Sequence, residues 1–190
     1  MSLELQNKPS INMPIVFYKI GIIVLLMCSI FLYGCGGDDN YSVARGRQLD
    51  FVADDPRWGD KVIFTDGLGQ RRLIKPKASN RQIAVVNIIV ANRSTTMVSL
   101  LLNESAVELG DRRSDRLEAI DPFNADVLES GDEDHRDAVV LDKPPLWGEV
   151  ELKKGFQIEG WFVFDVPKGL KLGTLWWNQA DTVSLDFIEY

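Results

Sequence analysis

The sequence has little of what catalytic and metal sites are most often built from. Its 190 residues include one histidine, His135, and two cysteines, Cys28 and Cys35. A zinc site needs several imidazole or thiolate ligands, and nucleophilic catalysis needs a base beside the attacking group. The chain also lacks a G-x-S-x-G motif and a P-loop motif. We therefore expect a protein that is not an enzyme and that holds no metal and no cofactor.

Two alternatives to this interpretation involve acidic residues. His135 lies in the run Asp132-Glu133-Asp134-His135-Arg136, which is most simply a solvated acidic loop. Weak calcium binding by this run, or by Asp54 and Asp55, is one alternative, although consecutive acids do not supply the alternating oxygens of a calcium loop. A hydrolase that uses His135 is the other, and it would need a nucleophile that the sequence does not identify.

Positive charge is scarce as well. The chain has 21 basic and 28 acidic residues, a formal net charge of −7, which argues against nucleic acid as a partner. The basic residues concentrate in a strip that we call the basic strip, while residues 103–143 are strongly acidic. The basic strip could contact anionic lipid headgroups or an acidic envelope polymer, or it could pair with the acidic segment. Its members are Lys61, Arg71, Arg72, Lys75, Lys77 and Arg81.

No apolar run has the length of an ordinary membrane-spanning helix. The charge-free run from Ile20 to Tyr33 is shorter than the ~20 residues that such a helix needs. It follows Lys8 and Lys19, and the small Gly34 stands where a signal peptidase needs a small side chain. This pattern predicts a cleaved export signal over residues 1–34. The alternative is an uncleaved anchor that extends back through residues 15–18 and tolerates Lys19.

The end of this run resembles the bacterial lipobox. In a lipobox, a leucine and then a glycine or alanine precede a cysteine that receives a diacylglyceryl group and becomes the mature N-terminus. Leu32, Gly34 and Cys35 match this pattern, and Tyr33 is bulkier than the usual residue at its position. The resemblance implies a lipoprotein attached to the membrane through Cys35 and located outside the cytoplasm. Because Gly36 follows the cysteine, it also implies the outer membrane if the source has one.

The rest of the chain is predicted to be a tether and one all-β domain. Residues 35–47 begin with a polar, glycine-rich stretch and predict a flexible tether, followed by one domain over 48–190. Asp66-Gly67 favours a hairpin over Lys61 to Lys75. Ile83 to Ala91 is apolar on both alternating faces and predicts a central strand that is covered on both sides.

The remaining apolar runs predict further short strands. Residues 111–145 are interpreted as mostly loop, with a short helix of no more than a turn or two within Asn124 to Leu128. Seven to nine short strands without a convincing helix predict an antiparallel β-sandwich. The further strands, beyond the hairpin and the central strand, cover residues 96–102, 105–109, 149–152, 156–166, 170–177 and 182–188.

Two segments resemble a known family. Val86 to Asn92 continues into Arg93-Ser94, and later Leu152 to Gly155 leads into Ile158 to Pro167. These segments resemble the telokin-like, immunoglobulin-like domain of many small bacterial lipoproteins and secreted antigens. In that family one strand ends in asparagine and a small polar residue, and a turn ending in glycine leads to a strand of the form x-G-aromatic-x-V-F-x-V-P. The resemblance covers about residues 83–188 and implies an immunoglobulin-like β-sandwich of uncharacterised function.

Five tryptophans are many for this length, and exposed indole rings can stack on sugars. Since adjacent strand positions point to opposite faces, one of Trp176 and Trp177 should point outward. If Trp161 shared that outer face, the three residues would offer a contact surface for a glycan or a protein partner. We therefore expect a lipid-anchored, non-enzymatic binding or assembly module of the cell envelope. Its partner would be an envelope protein or polymer, and the alternative is a glycan-binding module.

Overall fold

The computed structural model describes residues 41–94, 96–111, 115–128 and 138–187. Cys35, the segment interpreted as a signal and His135 lie outside the described residues. Within these residues, no helix has the length and apolar character to cross a membrane. The strands are β1 (Tyr41–Arg45), β2 (Leu49–Asp54), β3 (Arg57–Gly59), β4 (Lys61–Thr65), β5 (Arg71–Ile74), β6 (Arg81–Asn92), β7 (Val98–Leu102), β8 (Val107–Asp111), β9 (Arg116–Glu118), β10 (Asp126–Val127), β11 (Ala138–Val140), β12 (Gly148–Leu152), β13 (Gln157–Pro167), β14 (Leu172–Trp177) and β15 (Val183–Asp186).

The strands form four sheets around one long central pair. The central sheet has the order β1-β2-β6-β13, with β3 also paired to β6. The other sheets have the orders β10-β5-β4-β11, β12-β7 and β15-β14-β8-β9. All strand pairs of these sheets are antiparallel except β4 with β11. The predicted all-β, antiparallel architecture is confirmed.

The central strand β6 packs into two separate apolar cores. Ala84, Val86 and Ile88 point into the larger core, which lies between the central sheet and the sheets that contain β7 and β8. Ile83 and Val85 point to the opposite face, into a smaller core beneath the β4–β5 hairpin. A strand that is apolar on both faces needs cover on both sides, and this part of β6 has it. The predicted central strand is confirmed here.

The β4–β5 hairpin is closed by the side chain of Asp66. Its Oδ1 atom accepts hydrogen bonds from the backbone N–H groups of Leu68 and Gln70, each at 2.9 Å. Its Oδ2 atom accepts from Arg72 Nε at 2.8 Å. The hydrogen bond from Arg72 holds the pKa of Asp66 below its ordinary value. The hairpin predicted from Asp66-Gly67 is therefore confirmed, and its turn is built by local hydrogen bonds.

The prediction of a tether up to residue 47 is wrong at its end. Strand β1 begins at Tyr41 and pairs with β2 from Tyr41 opposite Asp54 to Arg45 opposite Asp50. The folded domain therefore begins at least seven residues earlier than the predicted Gln48. The edge of β2 supplies hydrogen-bonding partners to this segment, and a pattern that considers only local apolar runs does not detect such recruitment.

The described residues between 111 and 145 contain more regular structure than the predicted loop. They contribute β9, β10 and β11, three short strands that add to the edges of β8, β5 and β4. The helical turn is a 3-10 turn at Pro122–Asn124, which ends where the predicted one begins. Asp121 caps it by accepting a hydrogen bond from the backbone N–H of Phe123 at 2.9 Å.

Candidate functional site

Trp161 lies in the smaller core and not on an outer face. Its side chain on β13 leaves the residue only 2% exposed. The indole Nε1 donates to Asp142 Oδ1 at 2.9 Å, and the Arg57 guanidinium lies 4.6 Å from the ring centroid. The edge of the ring and one of its faces are therefore engaged with protein. The expectation that Trp161 offers a stacking surface is wrong, because the hairpin sheet covers this part of β13.

Trp176 and Trp177 point to opposite faces of β14, as their adjacent positions predict. Trp177 is 0% exposed in the larger core, with its ring centroid 5.2 Å from that of Phe51 and 6.3 Å from that of Phe162. Trp176 is half-buried on the outer face, with the Arg116 guanidinium 4.4 Å from its ring centroid. Trp176 is thus the one member of the predicted trio that reaches the surface.

Gly110 on β8 allows the Trp176 ring to lie against the sheet. A Cβ atom at Gly110 would stand 2.8 Å from Trp176 Cζ3 and 2.1 Å from the backbone oxygen of Asp115. Arg116 is held over the ring by an ion pair with Glu108, with Nη1 2.9 Å from Oε2. Asn178 Nδ2 donates to the same carboxylate oxygen at 3.1 Å. The outer face of this sheet therefore carries a stack whose positions are set by cation–π and hydrogen-bond geometry.

A groove of about 830 Å³ adjoins this stack. Asp165 and Arg81 lie at its inner side, with Arg81 Nε 2.8 Å from Asp165 Oδ2 and the Asp165 side chain only 6% exposed. Carboxylates outnumber basic groups around it, so the groove favours a ligand with positive charge. Its charged lining residues are Glu104, Glu108, Glu118, Asp121 and Asp165, with Lys77, Arg81 and Arg116.

Two members of the basic strip have partners that lie outside the acidic segment. Arg72 pairs with Asp66 in the same hairpin, and Arg81 pairs with Asp165 on β13. Neither ion pair involves a carboxylate of residues 103–143, although Arg72 Nη1 also donates to the backbone oxygen of Ala125 at 3.3 Å. The partners were not predictable from charge alone, because Asp66 is supplied by a turn and Asp165 by a distant strand.

A second polar cluster surrounds the buried Asn87 on β6. Its Nδ2 atom donates to Asp54 Oδ2 at 3.2 Å and to Glu159 Oε1 at 3.4 Å. Lys143 Nζ donates to the same Glu159 oxygen. The hydrogen bond from Lys143 lowers the pKa of Glu159, and that from Trp161 lowers the pKa of Asp142. In the part of the chain that the structure describes, no group of three or more His, Cys, Asp or Glu residues is arranged to hold a metal ion.

The lowered pKa of Glu159 predicts a loss of stability in acid. A carboxylate with a lowered folded-state pKa stabilises the fold above its ordinary value of 4.5, and this stabilisation disappears as pH falls through the lowered value. We expect Glu159→Gln to have a lower free energy of unfolding than the wild type at pH 7. At pH 3 we expect the difference in free energy of unfolding between the two proteins to be smaller. Urea denaturation at both pH values measures this difference. Glu149→Gln, at an exposed position of β12, is the control, and a pH-independent difference for Glu159→Gln would contradict the prediction.

Asn92 joins the two segments on which the family resemblance rests. Its side chain is buried at the end of β6, where Nδ2 donates to the backbone oxygens of Thr96 at 2.8 Å and Leu152 at 2.7 Å. Its Oδ1 atom accepts from the backbone N–H of Ser94 at 2.8 Å. The backbone N–H of Gly155, a residue with φ of +78°, donates to the Asn92 backbone oxygen at 2.9 Å. The motif residues thus form one hydrogen-bonded corner.

Comparisons with known proteins give little more. No family model matches the sequence, and no curated protein matches it. Among solved structures, the chain is similar to the crystal structure of the YjhA protein from Bacillus subtilis. That protein is 17% identical in sequence, and the match covers 74% of this chain and 83% of that chain with a TM-score of 0.45. A likeness at this score carries no argument about family or function.

Sequence reasoning missed the groove and the Asn87 cluster. The groove draws on β9 and the 3-10 turn, which belong to a segment interpreted as loop. The cluster draws on β2, β6 and β13 and on Lys143, four parts of the chain that are far apart in sequence. The one available signal was Asn87, a polar residue inside an otherwise apolar run.

Proposed function

We propose that this chain is a lipid-anchored, non-enzymatic binding or assembly module that works outside the cytoplasm on the cell envelope. The observation that carries the proposal is the sequence Leu32-Tyr33-Gly34-Cys35 at the end of a short apolar run. A free energy of about 0.8 kcal/mol per buried methylene means that several acyl chains on Cys35 hold a protein at a membrane. If the source has two membranes, Gly36 favours the outer one.

The position of β1 sets the distance between the proposed anchor and the domain. Residues 36–40 separate Cys35 from Tyr41, the first residue of β1. At about 3.5 Å per residue, a fully extended stretch of this length spans roughly 20 Å. A cleaved and acylated chain would therefore carry its domain close to the membrane surface, within reach of envelope components.

We further propose that the domain is telokin-like and immunoglobulin-like. The support is the Asn92 corner, in which the two segments that carry the resemblance are joined by the side-chain hydrogen bond from Asn92 to Leu152 and by the backbone hydrogen bond from Gly155 to Asn92. In this chain the asparagine and the turn glycine have a shared structural role, because the backbone oxygen of Asn92 accepts the hydrogen bond that the backbone N–H of Gly155 donates. No catalytic role is attached to these residues.

The groove beside Arg116 is the proposed site for an envelope protein or polymer. Its excess of carboxylates suits a partner that carries amines or guanidinium groups and opposes nucleic acid. For the alternative, a glycan-binding module, Trp161, Trp176 and Trp177 do not form a shared exposed surface, whereas Trp58 on β3 is 47% exposed. Trp161 and Trp177 are buried, and the accessible face of Trp176 is covered by Arg116.

The intact mass of the membrane-extracted protein tests the anchor. We expect the wild type to begin at Cys35 and to carry added acyl groups, and we expect Cys35→Ala to lose both the cleavage and the acyl mass. Cys28→Ala is the matched control, since Cys28 lies inside the segment that is removed, and it should leave the mature mass unchanged. A wild-type protein with a full-length, unmodified mass would contradict the proposal.

A further inference from the structure

Part of one face of the central sheet is only partly covered in the described structure. Val43 on β1, Val52 on β2 and Ile89 on β6 lie side by side in one row across three strands. Val43 is 65% exposed, and Val52 and Ile89 are partly exposed. None of the three belongs to either apolar core. We call the surface around this row the open face.

The open face begins where the hairpin sheet stops. Ile83 and Val85 of β6 share this side of the sheet and are buried beneath β4 and β5. Asn87 marks the boundary, and beyond it Ile89 and Ala91 are only partly buried. Apolar side chains on one face of a sheet are usually covered by a second layer of structure. The central strand therefore carries apolar side chains that the described residues cover only in part.

One end of the open face is basic. Arg45 and Arg93 both pair with Asp50, with their Nε atoms 3.2 and 2.7 Å from its Oδ1. Two guanidinium groups share one carboxylate, so one positive charge is left over. The Arg45 side chain is 74% exposed and points away from the packed core of the domain.

The opposite end is acidic. Tyr41 and Asp54 lie in the row next to the apolar one, beside the buried Asn87 and Trp161. Glu159 lies opposite Ile89, at the β13 end of the apolar row. The carboxylates here outnumber the basic groups, which are Lys143 and Arg57. The acidic members are Asp54, Asp142 and Glu159.

We propose that the open face is the contact surface for a second copy of this chain. A two-fold related pair can place the basic end of each copy against the acidic end of the other, while the apolar rows meet in the centre. Complementary charge at opposite ends of one patch is what such a self-contact requires. An anionic lipid surface fits less well, since it would be repelled by the acidic end. With strands about 4.8 Å apart, four strands give a face only about 15 Å wide, so the contact is weak and reversible.

Photo-crosslinking of the full chain in its own membrane tests this proposal. A benzoylphenylalanine at position 43 should give a product of twice the protein's mass, with peptides of the open face joined to one another. The same group at position 68 is the control, because Leu68 is 83% exposed at the tip of the hairpin and lies away from the open face. We expect no doubled product from position 68.

The variant Arg45→Glu distinguishes a specific contact between two copies from chance proximity of crowded molecules in the membrane. Reversal of this charge places like charges at both ends of the contact, and we expect the yield of doubled product from position 43 to fall by about tenfold. Unchanged circular dichroism would show that the exposed substitution leaves the fold intact. Three results would each overturn the proposal. The first is a crosslink from position 43 to lipid or to another protein, and the second is an equal yield of doubled product from positions 43 and 68. The third is an unchanged yield of doubled product in Arg45→Glu.

Discussion

Asn92→Ala should destabilise the domain by about 3 kcal/mol, because the substitution removes a side chain that satisfies three buried or partly buried backbone groups. The carbonyls of Thr96 and Leu152 lose their donor, and the N–H of Ser94 loses its acceptor. Each such group then carries part of its desolvation cost without a compensating hydrogen bond. Equilibrium urea denaturation, followed by circular dichroism, measures the change in the free energy of unfolding.

Two further variants make this prediction specific to the hydrogen bonds of Asn92. Asn92→Asp retains the acceptor for Ser94 but supplies no donor to the two carbonyls, so it should not restore wild-type stability. Asn80→Ala, at an exposed position, should change the free energy of unfolding by less than about 0.5 kcal/mol. A cost below about 1 kcal/mol for Asn92→Ala would show that this corner is not a principal support of the fold.

Trp177→Ala should destabilise the domain by about 3–5 kcal/mol, the range found when a large aromatic side chain is removed from a core. The ring is fully buried, contacts Phe51 and Phe162, and donates through Nε1 to the backbone oxygen of Gln179 at 2.6 Å. Its loss leaves a cavity between the central sheet and β14. The same denaturation experiment measures the effect.

The neighbouring Trp176→Ala is the matched control, since it removes the same side chain from the next position of the same strand. Trp176 is half-buried on the outer face and contacts Arg116, so its loss should cost only about 1 kcal/mol. Equal costs for the two variants would contradict the assignment of Trp177 to the core and Trp176 to the surface.

Much of the sheet structure was predictable because strand signals are local. The alternation along β13 separates Phe162 and Phe164 from Trp161 and Val163, and the two sets do enter different cores. Pro167 is the last residue of that strand, as expected of a residue that cannot donate to a ladder. Asp66-Gly67 likewise predicted the hairpin, because its turn is built by hydrogen bonds within a few residues.

The candidate sites were much less predictable, because they depend on which distant strands become neighbours. Trp161 and Trp176 carry the same side chain in similar strand contexts, yet one is buried beneath a hairpin and the other lies on an outer face. Arg116 lies over Trp176 because β9 adds to β8, and Gly110 leaves space for the ring. A single sequence does not contain these pairings in any local pattern.

The sequence by itself therefore determined the all-β class, the central strand, the hairpin and the opposite orientations of Trp176 and Trp177, since each follows from side-chain period or turn chemistry over a few residues. Tertiary structure alone decided that β1 starts at Tyr41, that β9 to β11 join existing edges, and that Ile89 stays partly exposed among the described residues while Ile83 is buried. The physical reason is that unpaired strand edges and uncovered apolar faces recruit whatever segment the fold brings near them. That choice depends on contacts between residues far apart in the chain.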